Sequence, residues 1–320
     1  MTYWLIVPPE SPCGCESGKL FGDCHLGKDG NIQMIWKDFN PPLPMTGESI
    51  HKCHFAYTYN CGGGISREHI VSKAVLKEIN SKSITLSTSD FSRDLSIDSD
   101  SLKTKRLCRR HNSGFSRVDT QAGRFIRTVQ KVDEILANRP AFPIRAYLFS
   151  GFDIERWLLK TLMNIYYSRL SVNPQLFILP PNIPAAFNSP LPSPYGLYVP
   201  FIKIEGEMLS FQIQKNAEFN LITEGNTVTG IRATLSGLQL VFILAGNLPY
   251  SQEFSTTHTQ RPKTIVFFEG QESVSIMMGW TEGAKMDVWI SRGNPNAETP
   301  EGIFSDYEIK PALKEIKLKP

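Results

Sequence analysis

Six cysteines stand in the chain, Cys13, Cys15, Cys24, Cys53, Cys61 and Cys108, and none follows the last of them. Five of the six histidines, His25, His51, His54, His69 and His111, share that first third. Thiolate and imidazole are the ligands zinc prefers. A chain of 320 residues is not a small disulfide scaffold, so cysteines clustered with histidines point to bound metal. Cys108 and His111 form a C-x2-H pair, a knuckle spacing suited to tetrahedral zinc. That pair lies in Leu107-Cys-Arg-Arg-His-Asn-Ser113, which is the second half of a split constellation. The first half is Ser66-Arg-Glu-His-Ile-Val-Ser72.

These residues need elements to hold them. Apolar residues recur at Phe115, Val118, Ala122, Phe125, Val129, Val132 and Leu136, in steps of three and four, which predicts one buried helical stripe. Arg117, Arg124 and Lys131 repeat on a different face, expected to be exposed. A second helix is predicted from Asp153 to about Tyr167, with Asp153 as N-cap and Ile154, Trp157, Leu158, Leu162 and Ile165 facing inward. Lys160 and Glu155 on it read as an exposed ion pair. The Ser/Asp-rich stretch 80–102 reads as an exposed insertion, and the proline-rich stretch 171–200 as a long connection. Strand-like pieces are Ile32–Trp36, Tyr198–Ile204, Leu238–Leu244, Thr264–Phe268 and Val274–Met278. Gly62-Gly-Gly64 lacks the Lys-Ser/Thr of a phosphate-binding loop and reads as a turn.

Composition narrows the function. Hydrophobic residues make up 41% and charged residues 20%, a globular balance. The longest apolar run, Leu238 to Gly246, includes Gln239 and is too short to span a bilayer. The N-terminal residues lack the basic start and apolar core of a signal peptide, so a cytoplasmic protein is expected. The net charge of +3 says little, but Ser101–Lys131 holds nine Lys/Arg (among them Lys103, Lys105, Arg106 and Arg127) against one acid, Asp119. A positive face of that kind attracts a polyanion. Arg67, Arg109, Arg110, Arg117, Arg124 and Lys131 are the candidate nucleic-acid contacts.

The split constellation followed by a basic helix resembles the HNH endonucleases, the ββα-metal or His-Me finger group, and in particular the branch written Glu-His-Ile … Leu-Cys-x-x-(Cys/His)-Asn-Ser found in uncharacterised bacterial proteins. The resemblance covers residues 50–137. It implies strands at about 66–71 and 104–108 and a helix from about 112 to 137. It also implies hydrolysis of DNA phosphodiester bonds, with His69 as general base for water and Glu68 and Asn112 as ligands of a Mg²⁺ or Mn²⁺ ion. Asp153-Ile-Glu-Arg-Trp-Leu-Leu-Lys160 resembles a segment that follows the motif in such proteins. Three departures stand out: His69 and Asn112 are unusually far apart, the Asn that often precedes the second-strand Cys is absent, and Ser72 replaces a Pro.

Many HNH proteins also hold a structural zinc between two ligand pairs. Cys108 with His111 supplies the second pair, and Cys53 with Cys61 is the choice for the first, although His54 could replace Cys53. Cys13, Cys15, Cys24 and His25 could form a separate site, donate one ligand or remain free thiols. The fold expected is α+β: a Cys-rich region and HNH core over 1–137, a helical segment 138–170, and a proline-rich connection with a mainly β accessory domain over 171–320. Roles in prokaryotic conflict systems and a partner protein on the accessory domain are expectations of the resemblance. The rival readings are a non-catalytic zinc module that binds nucleic acid and an inactive HNH scaffold for protein interaction.

Overall fold

The computed structural model describes residues 8–28, 44–80, 83–88, 95–98, 101–138, 146–168, 180, 183–200, 203–204, 207–208, 210–211, 217–269, 272–280 and 287–292. The strand expected at Ile32–Trp36 lies outside them. In chain order come α1 (Phe21–Cys24), β1 (Glu68–His69), α2 (Lys73–Ile79), β2 (Ser83–Thr88), β3 (Leu95–Asp98), β4 (Lys103–Thr104), α3 (Arg109–Gly114) and α4 (Ser116–Asn138). β5 (Ala146–Ser150) leads into α5 (Gly151–Tyr167), then α6 (Ile183–Asn188), β6 (Gly196–Pro200), β7 (Lys203–Ile204), β8 (Glu207–Met208) and β9 (Ser210–Phe211). β10 (Ala217–Glu224), β11 (Thr227–Leu235), β12 (Leu238–Ile243), α7 (Gln252–Thr257), β13 (His258–Gln260), β14 (Thr264–Glu269), β15 (Glu272–Gly279) and β16 (Asp287–Arg292) follow. The chain is thus mixed α and β, and no described helix is long and apolar enough to cross a membrane.

β1 and β4 pair antiparallel, with Glu68 opposite Thr104 and His69 opposite Lys103. Backbone bonds lengthen this hairpin in both directions. The Ile70 N–H reaches Leu102 O at 2.8 Å, Ser66 N–H reaches Leu107 O at 2.8 Å, and Arg109 N–H reaches Gly64 O at 2.9 Å. A bridge from Ile65 to Cys108 closes the end. The strands expected at 66–71 and 104–108 are shorter than that, Glu68–His69 and Lys103–Thr104, and the rest of each span joins its partner through those separate backbone bonds. The glycine turn is also real: Gly63 and Gly64 have φ of 71° and 70°, a left-handed conformation that favours glycine.

The single long helix expected from 112 divides. Cys108 caps α3, its sulfur accepting from the His111 N–H, and Phe115 ends α3 before α4 begins. On α4 the apolar stripe is buried as expected. α5 starts earlier than expected, because the Ser150 hydroxyl accepts from the Asp153 N–H at 3.2 Å and takes the N-cap role assigned to Asp153.

The largest departure is in how the sheets are assembled. A seven-stranded sheet runs β13-β6-β12-β11-β10-β2-β3, and a five-stranded one runs β5-β15-β14-β16-β9. The 80–102 stretch is not mere exposed decoration: β2 pairs parallel with β10, and Ile84 and Leu86 enter the core. Its polar composition suits a strand with one face wet and one buried. Within 171–200, α6 and β6 replace a featureless connection, while 171–179 lie outside the described residues. One hydrophobic cluster runs from Cys53 to Ile290, so the boundaries drawn at 137 and 171 do not separate two cores.

α5 touches strands of both sheets as well as α4. That placement buries Glu155 and Lys160, which the sequence pattern sets on an exposed face and pairs with each other. Each finds a different partner. Glu155 Oε1 accepts from Arg261 Nε at 2.9 Å and from the Leu197 N–H at 2.7 Å, joining α5 to β6. Arg261 also donates to Leu191 O at 2.9 Å. Substituting Arg261→Met leaves the Glu155 charge buried without its cation and is expected to cost about 3–5 kcal/mol, measured as the shift in free energy of denaturant unfolding. A loss below about 1 kcal/mol would contradict the assignment of a buried pair.

Candidate functional site

The hairpin end, the loop before it and the start of α3 meet at Cys53, Cys61, Cys108 and His111. All four are buried and their ligand atoms lie within 4.8 Å of one another. His111 Nδ1 is 3.1 Å from Cys108 Sγ, 3.5 Å from Cys53 Sγ and 3.8 Å from Cys61 Sγ. Zinc bond lengths in a tetrahedron place sulfur and nitrogen ligands about 3.6 Å apart, so the spacing fits. Two backbone N–H groups address the sulfurs at 3.4 Å, Cys108 to Cys53 Sγ and His111 to Cys108 Sγ. Thr58, which carries no signal in the sequence, lies 3.1 Å from His111 Nε2 and donates its own hydroxyl proton to Phe55 O at 2.7 Å. Its oxygen can therefore accept from Nε2–H, which leaves Nδ1 free to bind metal. Burial pushes the Cys53 thiol up to about 12 and, with the Arg110 charge, the His111 imidazole down to about 4.

His54 does not substitute for Cys53. It stacks on Tyr167 at 4.2 Å, and burial together with the Arg106 charge lowers its pKa to about 3. A second group, Cys13, Cys15, Cys24 and His25, also gathers its ligand atoms within 4.8 Å. Two Cys/His groups could thus hold a metal such as zinc.

The Glu68-His69 pair sits on β1, where neighbouring side chains alternate. Glu68 is buried and His69 half-buried. Asn112 is half-buried on α3, in the turn after Cys108, with its N–H on Cys108 O at 2.9 Å. The Glu68 carboxylate meets Lys160 of α5, whose Nζ lies 2.5 Å from Oε1. The same ammonium donates to Asp119 of α4 at 2.8 Å and lies 5.1 Å from the centre of the Phe115 ring. Neither Lys160 nor Asp119 stands out from sequence as a site residue. Lys160 is the charged partner of the Glu68 carboxylate, with its ammonium within hydrogen-bonding reach of Oε1. A carboxylate is also the kind of oxygen ligand a hard cation takes, and at Glu68 that place is held by Lys160.

Two carboxylates share one ammonium in this cluster. Burial raises both the Glu68 and the Asp119 carboxyl, with Lys160 opposing. The two carboxylates outweigh burial at Lys160 and keep it charged.

The basic residues are divided by what covers them. Arg67 and Arg109 are exposed on the hairpin and at the start of α3, and extending the β1–β4 register sets Arg67 level with exposed Lys105. The others are engaged. Arg110 donates to Asn60 Oδ1 at 2.9 Å and to Pro44 O. Arg117 pairs with Asp153 at 2.8 Å, and Lys131 with Glu16 at 3.1 Å. Arg124, expected on an open face, donates to Gly14 O and Leu148 O and covers the Phe149 ring at 3.9 Å. Residues 13–16 and β5 cover that face of α4, so the positive surface free for a ligand lies on the hairpin and not along the helix.

No family model, no curated protein and no solved structure matches the chain.

Lys160→Met removes the only cation shown contacting both carboxylates and is expected to cost about 3–5 kcal/mol. Glu68→Gln, which leaves Lys160 paired with Asp119, is expected to stay within about 1 kcal/mol of the unsubstituted chain. Equal losses for the two, by denaturant unfolding, would contradict this ordering. Because the folded chain holds carboxyl protons here more tightly than the unfolded one, the cluster costs stability as pH rises above the ordinary carboxylate range, and Glu68→Gln should flatten that dependence.

Proposed function

We propose that the chain is a metal-dependent endonuclease of the HNH type that hydrolyses DNA phosphodiester bonds. The observation that supports it most is the hairpin register: Glu68 and His69 pair with Thr104 and Lys103, and the next strand residues run into the Cys108–His111 knuckle and the helix carrying Asn112. In this reading a structural zinc at Cys53, Cys61, Cys108 and His111 fixes α3 against the hairpin and takes no part in cleavage. His69 accepts the proton of the attacking water. A divalent cation such as Mg²⁺ or Mn²⁺, held by Glu68 and Asn112, would stabilise charge on the phosphate and on the departing 3′ oxygen. Arg67 and Arg109 hold backbone phosphates and read no bases, so sequence preference is weak.

One observation favours a second reading. Lys160 Nζ lies 2.5 Å from Glu68 Oε1, an internal ammonium where the resemblance sets a metal. A chain that keeps this ion pair would bind nucleic acid through a zinc-stabilised hairpin without cutting it.

Supercoiled plasmid incubated with Mg²⁺ or Mn²⁺ separates the two. The nuclease reading expects nicking by the unsubstituted chain and at least a ~100-fold loss in His69→Ala. Equal nicking by both rejects His69 as the base, and DNA binding without nicking in either metal selects the second reading. Replacing Arg67 and Arg109 together by Glu is expected to weaken binding and to lower the salt slope by about 0.9 for each phosphate no longer neutralised. Cys108→Ser is expected to remove one zinc ion per chain by elemental analysis, and an unchanged zinc content rejects the structural centre.

A further inference from the structure

The N-terminal segment has a problem of stability that its own side chains do not solve. Among residues 8–28 only Cys13 and Phe21 are fully buried apolar groups, and their small cluster is completed by Leu148 of β5. That core is too small to fold a segment of this length. Even so, the segment adopts a defined shape. Pro12 bridges Leu20, and the Cys13 N–H reaches Lys19 O at 2.8 Å. Between them the chain turns tightly, with Glu16 at φ 58° and Gly18 at φ 79°. The turn presents Cys13 and Cys15, and α1 returns Cys24 and His25 to the same place.

The ligand geometry fits a metal better than a disulfide. Cys15 Sγ and Cys24 Sγ are 3.5 Å apart. Tetrahedral thiolates around zinc lie about 3.8 Å from each other, whereas bonded sulfurs lie about 2.05 Å apart. Cys13 and His25 are buried and complete a set of four in the S₃N class.

What the segment covers gives the site a purpose. β5 is the end strand of the five-stranded sheet, and an open edge invites pairing with other chains. Gly14 O accepts the Leu148 N–H at 3.1 Å and Arg124 Nη1 at 3.1 Å. The approach leaves no room for a side chain: a Cβ on Gly14 would fall 2.0 Å from Ala146 O. Gly14 stands between the first two thiols, so whatever fixes Cys13 and Cys15 fixes this contact.

We propose that Cys13, Cys15, Cys24 and His25 bind a second zinc ion, and that this ion holds residues 8–28 as a clip over the β5 edge of the sheet. The clip does not depend on nuclease activity. It also explains why Arg124 faces the N-terminal segment and not a ligand.

The test is native mass spectrometry of the full chain, purified under reducing conditions from zinc-supplemented cells, beside Cys15→Ser/Cys24→Ser and Cys24→His. The unsubstituted chain is expected to carry two zinc ions, the double variant one, and Cys24→His two, since imidazole replaces thiolate in tetrahedral sets. Hydrogen exchange at the Leu148 amide is expected to accelerate at least tenfold in the double variant, while amides of α4 keep their protection. A single zinc ion in the unsubstituted chain that Cys108→Ser removes overturns the proposal, whether or not the double variant folds; a single ion that Cys108→Ser retains and the double variant loses supports it. A chain lighter by two hydrogens with one zinc also overturns it, once peptide mapping places the disulfide between Cys15 and Cys24. A double variant that retains both ions overturns it equally.

Discussion

The Cys53, Cys61, Cys108 and His111 cluster is the constraint on which the hairpin site depends. Its ligands come from the loop before the hairpin, the end of the second strand and the first turn of α3. A ββ hairpin alone is marginal in water, and α3 is too short to persist by itself. A metal held there would tie both together and fix the angle at which Asn112 leaves the strand that pairs with Glu68 and His69. The bonds around the ligands serve the same end: Thr58 sets the His111 ring, and backbone N–H groups steady the sulfurs. The hairpin meets a Cys/His cluster that could hold a metal at one end and the packing of Ile70 and Leu102 in the core at the other.

α5 supplies the second constraint, through charge. It lies among strands of both sheets and carries two ionisable groups into the interior. Glu155 is answered by Arg261 and a backbone N–H, a complete set of bonds that belongs to the architecture. Lys160 is different. It serves two carboxylates, Glu68 and Asp119, at once. Buried titratable groups that share a charge partner in this way occur at functional sites as well as in structural networks. The two charges of one helix thus differ: Glu155 sits in a closed pair, and Lys160 is shared between two elements, β1 and α4.

Much of this was legible in the sequence, and the limits have physical causes. The C-x2-H pair could be read because metal geometry restricts ligand type and spacing, and the Cys53–Cys61 pair came from what the family resemblance implies. The seven residues between Cys53 and Cys61 are taken up by the short 3₁₀ turn Ala56–Thr58, which brings the chain back. The apolar stripe of α4 was legible from its period. What covers the opposite face was not, because Gly14 and Leu148 arrive from distant parts of the chain to meet Arg124. A seven-residue repeat of Arg and Lys tells which residues share a face but not whether water lies over it. β2 was missed for the same reason: its Ser and Thr residues look like a loop until β10, far along the chain, pairs beside it. On α5 the inner face was read correctly, but a helix packed from several sides has no outer face for Glu155 and Lys160.

The central claim is that Glu68 and Asn112, beside the His69 ring, hold a cation at the junction of hairpin and α3. A crystal structure of the chain soaked in Mn²⁺, with anomalous scattering locating the ion, tests it most directly. The account predicts a manganese peak bound by a Glu68 oxygen and the Asn112 side-chain oxygen, with Lys160 withdrawn from Glu68 towards Asp119. A map with no manganese there and Lys160 still against Glu68 at saturating metal would contradict it.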